Sequence, residues 1–268
     1  MPKTIIEVPG APCWVNLNSS DVARSAEFYE TLLGWRIEQA RAGQDGPDRE
    51  GPDQEGCLVA FLGEDRVAGI SPKGPADRST DWWGVYLRSE DAAATANAVR
   101  ASGGRIAFGP DPVPELGSFG GAVGPGGALI GFWHGAVRRY GIQRLEAPGA
   151  PTWFELYTRD YDADVDFYVR AFGWQTRVMS DTEDFRYTVQ VEASGDLAGI
   201  WDAASFMPDG VPSHWEVYFG ASDVDDVSAR AEALGGRVIE APADSPYGRI
   251  ATVADGTGAA FKVISVSG

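Results

Sequence analysis

The sequence predicts an α+β protein of two tandem modules, built from four βαβββ units. Three observations predict it. First, the stretch from Pro12 to Asp21 returns as Pro151 to Asp160 with no slip: Trp14 matches Trp153, Asp21 matches Asp160, Phe28-Tyr29 match Phe167-Tyr168, and Gly34-Trp35 match Gly173-Trp174. A long repeat held in register means one structural unit used twice. Second, alternating apolar stretches are followed by helix-period ones in the same order four times. Third, each helical stretch opens near an Asp and stops at a Gly.

Taken in order, residues 1–10 read as an irregular lead-in and 12–18 as a strand. Asp21 caps a helix whose stripe is Phe28, Tyr29, Leu32 and Leu33, and Gly34 ends it. A strand starts at about Trp35. Residues 42–56 are turn formers and charges, so they read as a loop. Strands follow at about 57–62 and 66–70. Ser71–Asp81 is a connection, Trp82–Leu87 a strand, and Glu90–Ser102 an Ala-rich helix stopped by Gly103-Gly104. Strands at about 105–108, 119–123 and 128–133 finish the module, with Gly109–Gly117 and its prolines read as a loop. The second module has strands near 152–157, 174–180, 185–192 and 197–201, with a helix at 161–171 after the first. A loop spans 202–212. A strand at 214–219, a helix at 223–234 and strands at 237–240, 249–253 and 259–265 complete it. The domain division expected is 1–135, a linker at 136–150, and 151–268.

The chain has 268 residues and a net charge of −17, from 39 acidic and 22 basic side chains. That balance argues against nucleic acid, which needs a basic surface. It serves solubility, or it attracts a cationic small molecule, for which the nine tryptophans would supply indole faces. No apolar run is long enough to span a membrane. The first residues lack a basic and then apolar leader pattern. Cys13 and Cys57 form neither a disulfide framework nor a metal-knuckle spacing. The expectation is a cytoplasmic monomer or homodimer.

Four βαβββ units with Asp, Phe-Tyr and Gly-Trp in these places resemble the vicinal-oxygen-chelate superfamily, over about Ala11 to Val266. That superfamily holds glyoxalase I, extradiol dioxygenases, and fosfomycin and bleomycin resistance proteins. The signature is similar to its actinobacterial two-module, glyoxalase-like branch, in a broad group that also holds an accessory protein of anthracycline biosynthesis. The resemblance implies a mixed sheet folded into a cup in each module, flanked by helices. It also implies metal-ligand slots, which fall on Trp14, Gly84 and Gly131 in module one and on Trp153, Glu216 and Lys262 in module two. Only Glu216 among these binds metals, and divalent ions want three or more N or O ligands. No metal or other cofactor is therefore expected. The fallback is an irregular metal site of Glu155, His214 and Glu216.

Strand parity lists the inward residues. They are Trp14, Asn16, Trp82, Tyr86 and Trp133 in module one. In module two they are Trp153, Glu155, Tyr157, His214, Glu216, Tyr218 and Lys262. Trp14 and Trp153 read either as plugs or as ligand contacts. Trp35 and Trp174 read as core, and Trp83 and Trp215 as packed under the helices. Lys262 suits an ion pair with a cup glutamate.

An aromatic cup with a few polar groups suits a planar organic ligand. The leading reading is metal-independent binding of a small aromatic natural product that could carry a cation. It would be an antibiotic or polyketide intermediate, anthracycline-like on the strength of the resemblance, bound for resistance, carriage or biosynthetic assistance. Trp14, Asn16, Trp82, Tyr86, Trp133, Trp153, Tyr157, Tyr218 and Lys262 would contact it. The alternative is a metal-free isomerase, cyclase or lyase with His214, Glu216 and Glu155 as acid–base groups. A residual metal-dependent glyoxalase or dioxygenase is the third.

Overall fold

The computed structural model describes residues 8–40, 56–74, 77–113, 117–135, 141–192 and 195–267. The 42–56 loop, apart from Gly56, lies outside them. Module one runs β1 (Pro12–Ser19), α1 (Val22–Leu33), β2 (Arg36–Gln39), β3 (Leu58–Leu62), β4 (Asp65–Pro72), β5 (Trp82–Ser89), α2 (Ala92–Ala101), β6 (Arg105–Val113), β7 (Gly117–Val123) and β8 (Leu129–Gly135). Module two runs β9 (Pro151–Thr158), α3 (Tyr161–Phe172), β10 (Thr176–Asp181), β11 (Arg186–Glu192), β12 (Gly195–Asp202), β13 (His214–Ala221), α4 (Val224–Ala233), β14 (Arg237–Ser245), β15 (Gly248–Ala254) and β16 (Ala260–Ser265).

The helix ends follow local chemistry. Asp21 accepts from the Arg24 amide at 3.1 Å, Asp91 from the Ala93 and Ala94 amides, and Asp223 from the Asp226 amide. Each bond satisfies a donor that the first helical turn leaves open. At α3 the Asp160 side chain makes no such bond; Thr158 Oγ1 accepts from the Asp160 amide at 2.9 Å. Gly34 and Gly173 end their helices in the left-handed region, with φ of 72° and 73°.

Each module is one eight-stranded mixed sheet, ordered β2-β3-β4-β1-β5-β8-β7-β6 and β10-β11-β12-β9-β13-β16-β15-β14. Within each half the outer hairpin returns parallel to the first strand, as β4 does to β1 and β8 to β5. The antiparallel β1–β5 and β9–β13 pairs join the halves.

Val15, Leu17, Trp83, Val85, Ile130 and Phe132 are buried on the helix-covered face of sheet one. Their counterparts in module two join the same core, which is continuous between the modules. Trp83 lies 5.2 Å from Phe219, Trp35 lies 5.4 Å from Phe219, and Tyr29 lies 5.5 Å from Phe261, ring centre to ring centre. α1 packs beside α4, and α2 beside α3. The helix-bearing faces therefore meet, and the two concave faces open on opposite sides of the molecule. Trp35, Trp174, Trp83 and Trp215 all sit in this core, as the sequence implies.

Two strands are longer than the sequence suggests. Of the expected 109–117 loop, Gly109–Val113 is strand: β6 continues to Val113 and pairs with β7 across two irregularities, through a cis Gly109–Pro110 bond, while 114–116 lie outside the described residues. β6 is an edge strand, the place in a sheet where prolines are tolerated. β14, the opposite module's edge, likewise continues past 240 to Ser245. No helix among the described residues is long and apolar enough to cross a membrane.

Candidate functional site

The concave face of module two gathers the polar groups. β9 supplies Trp153, Glu155 and Tyr157; β13 supplies His214, Glu216 and Tyr218; β16 supplies Lys262. In the antiparallel register Glu155 faces Glu216, Trp153 faces Tyr218, and Tyr157 faces His214, while Tyr218 faces Lys262 across the parallel pair. Two carboxylates directly opposite on one face repel unless each is neutralised. The structure gives each its own hydrogen-bond partners.

Glu155 is 5% exposed and accepts hydrogen bonds from both Tyr187 and Tyr218, one on each oxygen. Trp153 Nε1 donates in turn to the Tyr187 hydroxyl at 3.0 Å. Tyr187 reaches this position because Gly199 lies beneath it: a Cβ there would fall 1.9 Å from the hydroxyl oxygen. Burial, then the charge of Glu155, push the Tyr187 and Tyr218 phenols well above their ordinary value, so both remain donors.

Glu216 is held by His214. Nδ1 of His214 lies 2.8 Å from the Pro212 carbonyl and Nε2 lies 3.2 Å from Glu216 Oε1. With Glu216 ionised both partners are acceptors, an arrangement that favours the imidazolium form of His214. Burial works against that charge, and Lys262 adds to the opposition. The Glu216 hydrogen bond and charge, with the Pro212 carbonyl, outweigh them and raise the pKa above 6.5. Glu216 Oε2 is buried and has no partner.

Lys262 does not pair with a cup glutamate, contrary to expectation. Its ammonium bonds Thr252 Oγ1 at 2.9 Å and Glu240 Oε2 at 3.1 Å, and sits 5.6 Å from the Tyr157 ring centre. Glu240 is on the neighbouring hairpin, beyond the strands that parity addresses.

The mouth is aromatic. Tyr157 stacks on His214 at 5.6 Å and lies 5.3 Å from Trp201, which lies 4.8 Å from Phe206 and 5.5 Å from Phe185. Phe206 is 48% exposed. It belongs to the 203–213 segment, which Arg159 fastens through the carbonyls of Met207, Pro208 and Val211. Tyr187, Trp201, Phe206, Phe185 and Arg159 were not singled out from sequence. The period-two pattern of 186–192 and 195–202, extended to list its inward members, would have found Tyr187 and Trp201.

In module one Trp14 faces Tyr86, Asn16 faces Gly84, Tyr86 faces Gly131, and Arg88 faces Trp133. Trp14 and Trp133 are fully buried. Asn16 accepts from the Ser71 hydroxyl at 3.3 Å. Trp82 and Tyr86 keep part of their surface. The structure thus keeps the two sets of predicted residues on separate faces, and no site contains them all.

Paired βαβββ units around a cup define a small class of proteins, and comparison places the chain within it. The Glyoxalase/Bleomycin resistance protein/Dioxygenase superfamily model matches residues 13–132 and 150–263. The chain belongs to this superfamily. It is 32% identical over 268 residues to the "Putative glyoxylase CFP32" of Mycobacterium tuberculosis, covering 98% of each chain. It is 33% identical over 264 residues to the "Anthracycline biosynthesis protein DnrV" of Streptomyces peucetius, covering 96% of this chain and 94% of that one. Among solved structures it resembles the Mn(II)-bound glyoxalase from Novosphingobium aromaticivorans, with a TM-score of 0.63, 15% identity, and coverage of 96% and 82%. It resembles the 2,3-dioxygenase LapB from Pseudomonas sp. KL28 equally, at 0.63 and 15%, with coverage of 97% and 94%.

The residues here do not fit a metal of that kind. Of the slots in module two, Trp153 offers a bonded indole and Lys262 an ammonium. The fallback set fails as well, because both Glu155 oxygens are taken by phenols and His214 meets Glu216 as a donor. Among the described residues no three His, Cys, Asp or Glu side chains are placed to hold an ion.

Proposed function

We propose that the concave face of module two binds an aromatic natural product, without a metal, through a hydrogen-bond donor on the ligand. The observation that carries this is Glu216 Oε2, a buried carboxylate oxygen with no partner, in a cup edged by Tyr157, Trp201, Phe206 and His214. A buried acceptor left open costs about 1–3 kcal/mol or more, which a phenol or ammonium of the ligand recovers. The rings supply stacking area for its planar part. The 33% identity to two proteins named for anthracycline biosynthesis favours an aromatic polyketide, and a role in its carriage, in self-protection, or in relieving product inhibition.

The test is a tryptophan-quenching titration against amine-bearing anthracyclines, with metal analysis of the same sample. Saturable quenching that weakens at least tenfold in Glu216→Gln supports the reading. No quenching across the panel, or one stoichiometric transition metal per chain, sinks it. A second reading, acid–base catalysis on such a ligand, draws on the His214–Glu216 contact. Turnover abolished in His214→Ala with binding retained would select it.

A further inference from the structure

We infer that the helix-bearing faces form an interaction surface that admits only unlike modules: module one accepts module two, and a second copy of module two cannot take its place. This goes beyond the function proposed for the second cup and does not depend on it. It rests on which module supplies the carboxylate at each of two equivalent junctions.

At each junction the first helix of one module meets the second half of the other. Phe28 of α1 lies over Gly236, where a Cβ would fall 3.1 Å from its ring, and Phe167 of α3 lies over Gly104, where the distance would be 2.5 Å. Beside these contacts lie the last hairpin turns, 124–128 and 255–259, which close alike. The amides of Gly124 and Asp255 reach the carbonyls of Ala128 and Ala259 at 3.0 Å, and Gly127 and Gly258 have φ of 97° and 100°. Asp255 therefore stands where module one has Gly124, and Thr257 where it has Gly126. On the helices, Asp164 stands where α1 has Ser25, each bonding back through its amide to the carbonyl of the N-terminal Asp at 3.0 Å.

Each junction holds one carboxylate beside an equivalent tyrosine. Burial, then the charge of Asp255, push the Tyr29 phenol above its ordinary value; burial, then Asp164, do the same to Tyr168. Both acids are buried, and both belong to module two, one on its helix and one on its turn. Module one supplies Ser25 at the first junction and Gly124 and Gly126 at the second.

The fit at the second junction is close. A Cβ at Gly124 would fall 2.9 Å from Asp164 Oδ1, and one at Gly126 would fall 2.1 Å from Oδ2 and 2.5 Å from Thr158 Oγ1. Were another module two to replace module one, Asp255 and Thr257 would occupy those two positions. A pair of buried carboxylates would then meet at both junctions, and such a pair cannot stay fully ionised. The threonine would also overlap Asp164, which Thr158 and the Gly126 amide hold in place. Arg230 adds to the mismatch: it donates to the Thr31 carbonyl of α1, and the repeat position of Thr31 is Arg170. Two copies of module one would lack both acids, and the Gly126 amide would lose its acceptor.

Substitutions in the full chain reproduce the excluded contact one junction at a time, read as the midpoint of urea unfolding. Gly126→Thr sets the turn residue of module two against Asp164 and should lower the midpoint by about 1 M or more. Adding Asp164→Ser, which leaves a gap in the wild type and lowers its midpoint, should raise that of Gly126→Thr, because serine and threonine are the native pair at the first junction. There, Ser25→Asp should lower the midpoint. Asp255→Gly removes the acceptor of the Thr257 and Ala259 amides, so it should harm the wild type yet improve Ser25→Asp. This reversal of sign is the expected result, since a residue that merely supports its own turn or helix is harmful to lose in either background. The inference is overturned if Gly126→Thr and Ser25→Asp match wild type, or if either second substitution is as harmful in its partner variant as in wild type.

Discussion

Trp35 donates its indole N–H to the carbonyl oxygen of Gly149 at 2.6 Å, across 114 positions of sequence. Trp174, its repeat partner, does the same to Gly10 at 2.9 Å. Each module thus holds the turn that leads into the first strand of the other. Gly149 and Gly10 both have φ near +80°, and a Cβ at either would strike a helix-end carbonyl, Leu33 at 2.5 Å or Phe172 at 2.3 Å. Trp35→Phe loses the bond and leaves a gap where the pyrrole ring packed, so denaturant unfolding should show a loss of more than about 1 kcal/mol. Gly149→Ala should cost more, because it adds both a strained φ and a clash. Equal stability of Gly149→Ala and wild type would refute this account of the clasp.

The same interface contains a buried acid. Asp164 accepts from Thr158 Oγ1 and from the Gly126 amide of the opposite module. Burial, partly offset by those two bonds, raises its pKa above 3.8. A carboxyl whose pKa rises on folding stabilises the fold below its unfolded value, and that contribution is lost as pH climbs through the folded value. Asp164→Asn should therefore flatten the stability-versus-pH curve from pH 3.8 upward and leave the variant at least as stable at pH 7. Parallel curves for the two proteins would mean that Asp164 is not the source.

The Glu155 network should fail as a unit. Tyr187→Phe removes a donor to Glu155 and the acceptor of Trp153. Gly199→Ala displaces the same hydroxyl. Each should cost about 1–3 kcal/mol. The double variant should cost clearly less than their sum, since both act on one atom. Strict additivity in a double-mutant cycle would count against a shared cause.

His214 offers a spectroscopic reading. Its imidazolium is held by Glu216 against burial and Lys262, so it should titrate above 6.5 by NMR. In Glu216→Gln the counter-charge goes and burial prevails, so the midpoint should drop below that of wild type. The stability that His214 contributes is full below 6.5 and is lost as pH rises through its folded pKa. An unshifted midpoint in the variant would break the assignment of the pair.

Arg159 should govern the 203–213 segment. Arg159→Ala removes the donors to three carbonyls. Amide exchange in 203–213 should quicken at least tenfold, with the β-sheet cores unchanged. Uniform quickening throughout would mean that the residue supports the whole fold instead.

The features legible in sequence were those with short-range signals. The helix cap at Asp21, the stops at Gly34 and Gly173, and the alternation that turns Trp83 and Trp215 inward are written within a few residues, although Asp160, in the place that matches Asp21, makes no side-chain cap bond. Parity correctly grouped Glu155 with Glu216 and Trp153 with Tyr218. It could not show that Glu155 is consumed by Tyr187, because that contact crosses from β9 to β11 and depends on a glycine in β12. Nor could it show that Lys262 prefers Glu240, whose strand meets β16 only through β15. The prolines of 109–117 read as a loop because nothing local tells an edge strand from a central one.

Because the helix-bearing faces are committed to each other, the two copies left by an internal duplication were not equally free to drift at every position. Tyr29 and Tyr168, Trp35 and Trp174, and Trp83 and Trp215 answer to one shared core, and each pair has stayed the same residue. Asn16 and Glu155, Trp82 and His214, Gly84 and Glu216, and Gly131 and Lys262 lie on the concave faces, and each of these pairs has parted, whereas Trp14 with Trp153 and Tyr86 with Tyr218 have not. Where a neutral position of one copy has become a charge in the other, at Gly84 and Glu216 or Gly131 and Lys262, it has done so on a face that the assembly of the two modules leaves unused.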